Sequence, residues 1–361
     1  MLLFNLIFAG LYALEDYIAL HTLTCLVPAF LLAGAITAFL SRETILRYMG
    51  STAKKTVSFP LAAFAGIGLA VCSCTVIPIA SGLYRRGSSL GPAFILLWTA
   101  PATNLLALVY TGAILGLDIA VMRIVAAVST AFIVGLIMTY VFRSEERKRT
   151  EKFGNPSSLV RSQITSSKHM VLFIILIATL LLPNYLGVGR PYLHKIIIFL
   201  IPMVITFIYA WFKLGVSSVK VWLKEALWFV RLIFPLLLVG VFIIGIVGKI
   251  LPAEWIQTWL GGNTFLSTFL ASLLGALIYF ATLTEAPFVD TLISLGMGKS
   301  PALALLLAGP GLSLPNMIVI VRIFTAKKAL VYILTTIALA AITAFIIGSI
   351  PLVVRVYMQE S

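Results

Sequence analysis

Two cysteines one residue apart, Cys72 and Cys74, interrupt an otherwise apolar run and are followed by Thr75 and Pro78. Thiolates are soft donors suited to soft metals and metalloids, and only the deprotonated sulfur binds. Pro78 can close one helical piece and open the next. The positive end of a helix starting there favours a thiolate that apolar burial would disfavour. A second apolar run carries Thr282-Leu-Thr-Glu-Ala-Pro287, with Glu285 just ahead of its proline. An ionisable group at membrane depth is costly and marks an ion or proton path. Thiols release protons on binding a soft cation, and burial disfavours a charged carboxyl. Glu285 is therefore the expected proton-coupling group, with Cys72 and Cys74 the expected ligands of a soft metal or metalloid cargo. The bland reading makes the cysteines small packing residues and puts Glu285 at the membrane interface. Thr75, Asn104, Thr284 and Asn316 flank chain breaks, as do Thr103 and Ser313. They would bind substrate or satisfy freed backbone groups.

These residues need a membrane-embedded scaffold. The chain has 361 residues, of which 61% are hydrophobic and 11% charged. A soluble domain is about half apolar and about a quarter charged, so this chain cannot cover a water-facing surface. Apolar stretches close to the roughly 20 residues that cross a bilayer predict spans near 19–41, 89–115, 119–142, 169–186, 194–212, 226–250, 300–321 and 328–350. Two further stretches, 58–84 and 265–295, are broken in the middle by the motifs above. The N-terminal MLLFNLIFAG has no basic leader and no cleavage pattern, and is expected to be mature protein.

The formal net charge is +14, but the basic residues are scattered through short loops and form no nucleic-acid patch. They report orientation instead. Residues 143–168 form the one polar linker, with seven Lys or Arg that place it in the cytoplasm. If the broken stretches are re-entrant hairpins, 20 of the 26 basic residues fall on the linker side. The six on the other side are Arg123, Arg190, Lys195, Lys249, Lys299 and Arg355. The hairpin arrangement is chosen, with both termini outside. The divisions expected are a first membrane repeat at 1–142, the linker, a connecting helix pair at 169–212, and a second repeat at 213–361.

The halves match in the residues that set backbone shape. Gly66, Thr75, Pro78, Gly87, Pro92 and Pro101 recur at an offset of 209 as Gly275, Thr284, Pro287, Gly296, Pro301 and Pro310. Glycines and prolines dictate turns and breaks, so the match predicts a repeated fold. With the hairpins the two repeats are inverted, and broken helices would meet at a midplane site. The expected fold is all-α and integral to the membrane, with about eight full spans and two hairpins whose tips, near 72–78 and 281–287, approach each other.

Other signals are bland. His21, His169 and His194 are isolated, and Gly82-Leu-Tyr-Arg-Arg-Gly87 lacks the lysine of a phosphate loop because Ser88 stands there. No His-Glu-x-x-His run occurs. No cofactor is expected. Asp290 and Cys25 remain unassigned between site and rim.

Val71-Cys-Ser-Cys-Thr-Val-Ile-Pro78, Gly82-Leu-Tyr-Arg-Arg-Gly87, Thr99-Ala-Pro-Ala-Thr-Asn104 and Leu306-Leu-Ala-Gly-Pro-Gly-Leu-Ser-Leu-Pro-Asn316 resemble the predicted-permease family that includes the organoarsenical efflux permeases. The resemblance covers roughly residues 20–345. It implies a permease driven without ATP and, for the arsenical members, trivalent arsenic held by cysteine thiols, here Cys72 and Cys74. The expectation is thus a non-enzymatic, multi-pass permease of the cytoplasmic membrane, with the lipid bilayer and a small molecule or ion as its partners. One alternative cargo is a sulfur-containing or other thiol-reactive anion. A membrane thiol oxidoreductase is the alternative from another class, disfavoured because Cys-x-Cys closes a small strained ring.

Overall fold

The computed structural model describes residues 2–18, 26–40, 42–69, 71–153, 167–186, 192–250, 259–278 and 284–350. Cys25 and residues 281–283 lie outside this set. The described chain is helical throughout, apart from isolated bridges that join Gly261 and Gly262 to Met297.

In the first half, α1 (Leu2–Tyr17), α2 (Val27–Phe39) and α3 (Arg42–Met49) precede α4 (Lys55–Leu69) and α5 (Ser73–Arg85). Then come α6 (Leu90–Ala102), α7 (Leu105–Ile114) and α8 (Leu117–Val141). The middle of the chain holds α9 (Arg143–Phe153), α10 (Ser167–Leu186) and α11 (Tyr192–Leu214). The second half has α12 (Val216–Ile250), α13 (Phe265–Leu277), α14 (Glu285–Ser294), α15 (Lys299–Gly311), α16 (Leu314–Phe324) and α17 (Ala326–Gly348).

The expected breaks are present: within 58–84, α4 ends at Leu69 and α5 starts at Ser73, and within 265–295, α13 ends at Leu277 and α14 starts at Glu285. Among the described residues, not all of the expected spans are single helices long enough to cross a bilayer. By length and apolarity four described helices can cross a bilayer, namely 117–141, 196–214, 216–243 and 326–348. The stretches 89–115 and 300–321 are not straight spans. Each is a pair of helices, α6–α7 bent by 41° and α15–α16 by 48°. Counting each bent pair as one span raises the total to six. The prolines supply the reason. Pro101 and Pro310 sit near the ends of α6 and α15, where each deletes a backbone donor. Asn104 and Ser313 then restart the chain at the N-cap positions of α7 and α16. The N-terminal helix α1 was not expected as an element; it packs along α12.

Helix bounds recur at the offset of 209. α6 maps onto α15 residue for residue, and α7 and α8 start where α16 and α17 start. Gly87 and Gly296 both have positive φ, 115° and 102°. Gly116, with φ 103° and ψ 151°, corresponds to Thr325, with φ 79° and ψ 150°. Thr325 is the single positive-φ residue other than glycine among those described. A β-branched residue is strained there, so the backbone shape persists where the glycine has been lost. Packing follows the same pairing: α4 lies on α6 as α13 lies on α15, and α6 on α8 as α15 on α17. A Cβ at Gly66 would meet Thr99 and Ala100, and one at Gly275 would meet Leu305 and Gly309. Small residues let these backbones approach closely, as membrane helix pairs require.

The polar linker is folded at its start. Glu146 of α9 is buried; it accepts from the Leu90 backbone N–H at 3.2 Å and the Tyr84 hydroxyl at 3.3 Å. Arg149 lies over the Tyr84 ring at 3.6 Å and donates to the carbonyls of Tyr84 and Ser88. These contacts pin α9 to the α5–α6 turn. Elsewhere α10 packs on α11 and α2, and large apolar side chains such as Ile201, Ile205, Ile208 and Phe212 of α11 point outward. Such a surface fits lipid and not water.

Candidate functional site

The first turn of α5 carries the cysteines. Cys72 is the N-cap residue, with extended backbone, and its sulfur lies 3.0 Å from the Thr75 hydroxyl. Cys74 is buried, and its thiol donates to Asn316 Oδ1 at 3.5 Å. The Asn316 amide nitrogen donates at 2.6 Å both to Ser73 Oγ and to Ser313 Oγ. Ser73, Cys74, Ser313 and Asn316 therefore form one buried polar cluster where the starts of α5 and α16 meet, with the half-buried Cys72 and its partner Thr75 on the same turn of α5. The start of α16 is held by α12, where a Cβ on Gly240 would run into Pro315.

The second cluster is built on Glu285, the first residue of α14. Its Oε1 accepts from Arg123 Nη2 at 2.7 Å, and the two side chains are 2% and 0% exposed. Arg123 Nη1 donates to Thr111 Oγ1 at 2.9 Å and its Nε to the Ala102 carbonyl at 3.3 Å. That carbonyl belongs to the last turn of α6, which lacks helical donors. One guanidinium thus ties α6, α7, α8 and α14 together. Glu285 Oε2 is buried with no hydrogen-bond partner among the described residues.

The two clusters are counterparts. α5 packs against α16, and its counterpart α14 packs against α7, the counterpart of α16. Each broken stretch thus touches the bent helix pair of the other half, in addition to its larger contacts within its own half; the expected approach of the tips involves residues 281–283, which lie outside the described set. Local sequence cannot specify such partners, because the pairing is set by which small residues allow close approach.

The other expected site residues separate. Asn104 is buried, and its Oδ1 accepts from Leu106 N at 3.0 Å and Ala107 N at 3.4 Å, so it serves as the cap of α7. Thr284, the N-cap of α14, is exposed, as is Asp290. Three members were missed: Ser73, Thr111 and Arg123. Arg123 had been counted among the outer loop charges. The structure buries it completely, six residues inside the 25-residue apolar helix α8. The signal was available, since an arginine flanked by Ala120-Val-Met and Ile124-Val-Ala is an intramembrane charge by the same logic that singled out Glu285. No group of three or more His, Cys, Asp or Glu that could hold a metal ion occurs among the described residues.

Comparison with known proteins places this architecture. A family model described as a predicted permease, ArsP_1, matches residues 7–349. The UPF0718 protein MJ0584 of Methanocaldococcus jannaschii is 38% identical over 357 residues, covering 96% of this chain and 97% of its own length. The UPF0718 protein YraQ of Escherichia coli is 24% identical over 341 residues, covering 93% of this chain and 80% of its own. No solved structure matches. A multi-pass helical protein with buried polar groups at its helix breaks, matched over nearly its whole length, belongs to the predicted-permease family.

Proposed function

We propose that the chain is a secondary-type permease that moves a small thiol-binding solute, a trivalent metalloid or an organoarsenical, through a site at its helix breaks. The observation that carries this reading is the first turn of α5, where a half-buried Cys72 beside Thr75 and a buried Cys74 bonded to Asn316 of α16 sit two residues apart. A monosubstituted trivalent arsenical exchanges two ligands for two thiolates, which matches two cysteines in one helix turn. Its organic group would pack against the apolar walls, with Val71, Val76 and Ile77 buried nearby.

In this reading the halves are inverted repeats and the two clusters are their paired breaks. Helix starts facing the interior offer partial positive charge and backbone donors to a bound group, as in other inverted-repeat carriers. The linker at 143–168 lies on the cytoplasmic side. Glu285 exchanges the coupling proton: protonation would release Oε1 from Arg123 and loosen the tie between α14 and the α6–α8 group. Cargo binding to thiols releases protons, so occupancy of one cluster and protonation of the other respond to the same pH gradient. A sulfur-containing anion fits less well, because the buried cation of Arg123 is already neutralised by Glu285 at 2.7 Å.

The test is a binding screen of the purified protein against trivalent arsenicals, soft metal ions and sulfur oxyanions, with a Cys72→Ser/Cys74→Ser variant alongside. A thermal shift with a trivalent arsenical that disappears in the serine variant supports the reading. A shift with an oxyanion that survives in the serine variant rejects it.

A further inference from the structure

At the far end of the first half from the Arg123–Glu285 pair, a cavity of about 720 Å³ opens between the α3–α4 turn, the start of α6 and the α8–α9 junction. Lys55, Arg143 and Arg147 line it, with Ser51 and Thr52 on one wall and Tyr140 at the mouth. Glu146 is the one acidic residue of that lining, and its carboxylate is turned to the Leu90 N–H, the Tyr84 hydroxyl and Arg149. The described lining therefore gathers Lys55, Arg143 and Arg147 with the hydroxyls of Ser51, Thr52, Ser89, Thr139 and Tyr140 around one carboxylate. That is the donor set of a phosphate site.

The walls continue outward as apolar stripes on two neighbouring helices. Below Lys55, α4 exposes Val57, Leu61 and Phe64; behind Arg143, α8 exposes Tyr140, Leu136 and Ile133. Those spacings of three and four residues keep each stripe on one helix face, and α4 and α8 pack against each other. A soluble phosphate has no use for such stripes, whereas acyl chains do.

We propose that this cavity binds the headgroup phosphate of an anionic glycerophospholipid, whose acyl chains lie along the exposed faces of α4 and α8. Basic pockets between helices at the membrane surface take acidic headgroups in this way. Because α9 supplies Arg147 and also holds the α5–α6 turn through Glu146 and Arg149, the bound lipid adds to the staple that fixes the linker helix. The site requires neither the thiols nor Glu285, so it stands independently of the transport reading.

The test is native mass spectrometry of the full chain, titrated with phosphatidylglycerol or phosphatidylcholine. Each basic residue at a membrane surface contributes on the order of 1 kcal/mol to anionic lipid binding, so Lys55→Gln/Arg143→Gln/Arg147→Gln should weaken phosphatidylglycerol retention by about tenfold to a hundredfold. Phosphatidylcholine retention should not change. Lys213→Gln/Lys220→Gln/Lys224→Gln removes the same charge from exposed positions on α11 and α12 and should retain phosphatidylglycerol like wild type. Should the first triple variant fail to fold, Arg143→Gln alone, at an exposed position, should still weaken retention several-fold. Equal loss in both triple variants, or no loss in the first, overturns the proposal. So does displacement of phosphatidylglycerol by millimolar inorganic phosphate, which would make the cavity a site for a free anion.

Discussion

Removing one member of the Arg123–Glu285 pair should damage the protein more than removing both. The pair is 2.7 Å apart, with side chains 0% and 2% exposed. Deleting one partner of a buried pair leaves an uncompensated charge and costs about 3–5 kcal/mol, whereas replacing both by neutral groups is close to neutral. The structure ranks the two single variants. Glu285→Gln leaves Arg123 with the Ala102 carbonyl and Thr111 hydroxyl as acceptors, so its cost lies near the lower end. Arg123→Met leaves Glu285 with neither oxygen satisfied by a described residue, since Oε2 already lacks a partner among them, so its cost lies near the upper end. In Arg123→Met/Glu285→Gln the penalty for an unpaired charge vanishes, and the summed single losses should exceed the double loss by at least ~2 kcal/mol, as expected for residues in direct contact. The assay is denaturant unfolding in detergent for the four proteins of the cycle. Additive losses, or single variants as stable as wild type, would refute the claim that this pair holds α6, α7, α8 and α14 together.

Three more outcomes follow from the same geometry. In proteoliposomes Glu285→Gln should keep equilibrium cargo binding within about tenfold, or ~1.4 kcal/mol, while uptake ceases to respond to a pH gradient; normal pH-driven flux would remove the proton role. A reporter fused within residues 150–165 should report cytoplasm, and one at the C-terminus the outside; the reverse at both sites contradicts the charge argument. Thr325→Gly should raise unfolding stability by about 1 kcal/mol. It relieves a backbone conformation worth about 1–3 kcal/mol of strain and forfeits about 0.5–1 kcal/mol of glycine entropy; a loss of stability would show that Thr325 is held by contacts that outweigh its φ of 79°.

Much of this architecture is written locally. The breaks near Cys72 and Glu285 announced themselves through polar residues and prolines inside apolar runs, because those residue types act on the backbone within one helical turn. The offset between the halves was readable for the same reason, and it recurs in the helix bounds from α6 to α17. What local pattern could not supply is partner choice. Cys74 meets Asn316, 242 residues away, and Arg123 meets Glu285, 162 residues away. Nothing in either neighbourhood names the other. Arg123 was misplaced because counting charges by loop treats every arginine as an orientation signal, including one that lies within a span. The breaks inside 89–115 and 300–321 were legible in Pro101, Pro310 and the polar residues that flank them, whereas the size of each bend was not, because it depends on how the two pieces pack. The role of Asn104 as a helix cap was legible in principle, since it precedes the apolar run of α7.

The central claim is that the thiols at the start of α5 are the cargo site of a carrier. Its most direct measurement is the uptake of a trivalent organoarsenical into proteoliposomes under an imposed pH gradient, comparing wild type with Cys72→Ser/Cys74→Ser at matched protein content and matched unfolding midpoint. The account predicts saturable uptake by wild type and none above empty liposomes by the serine variant. Equal saturable uptake by both proteins would contradict it, and would make Cys72 and Cys74 packing residues of the α5–α16 contact.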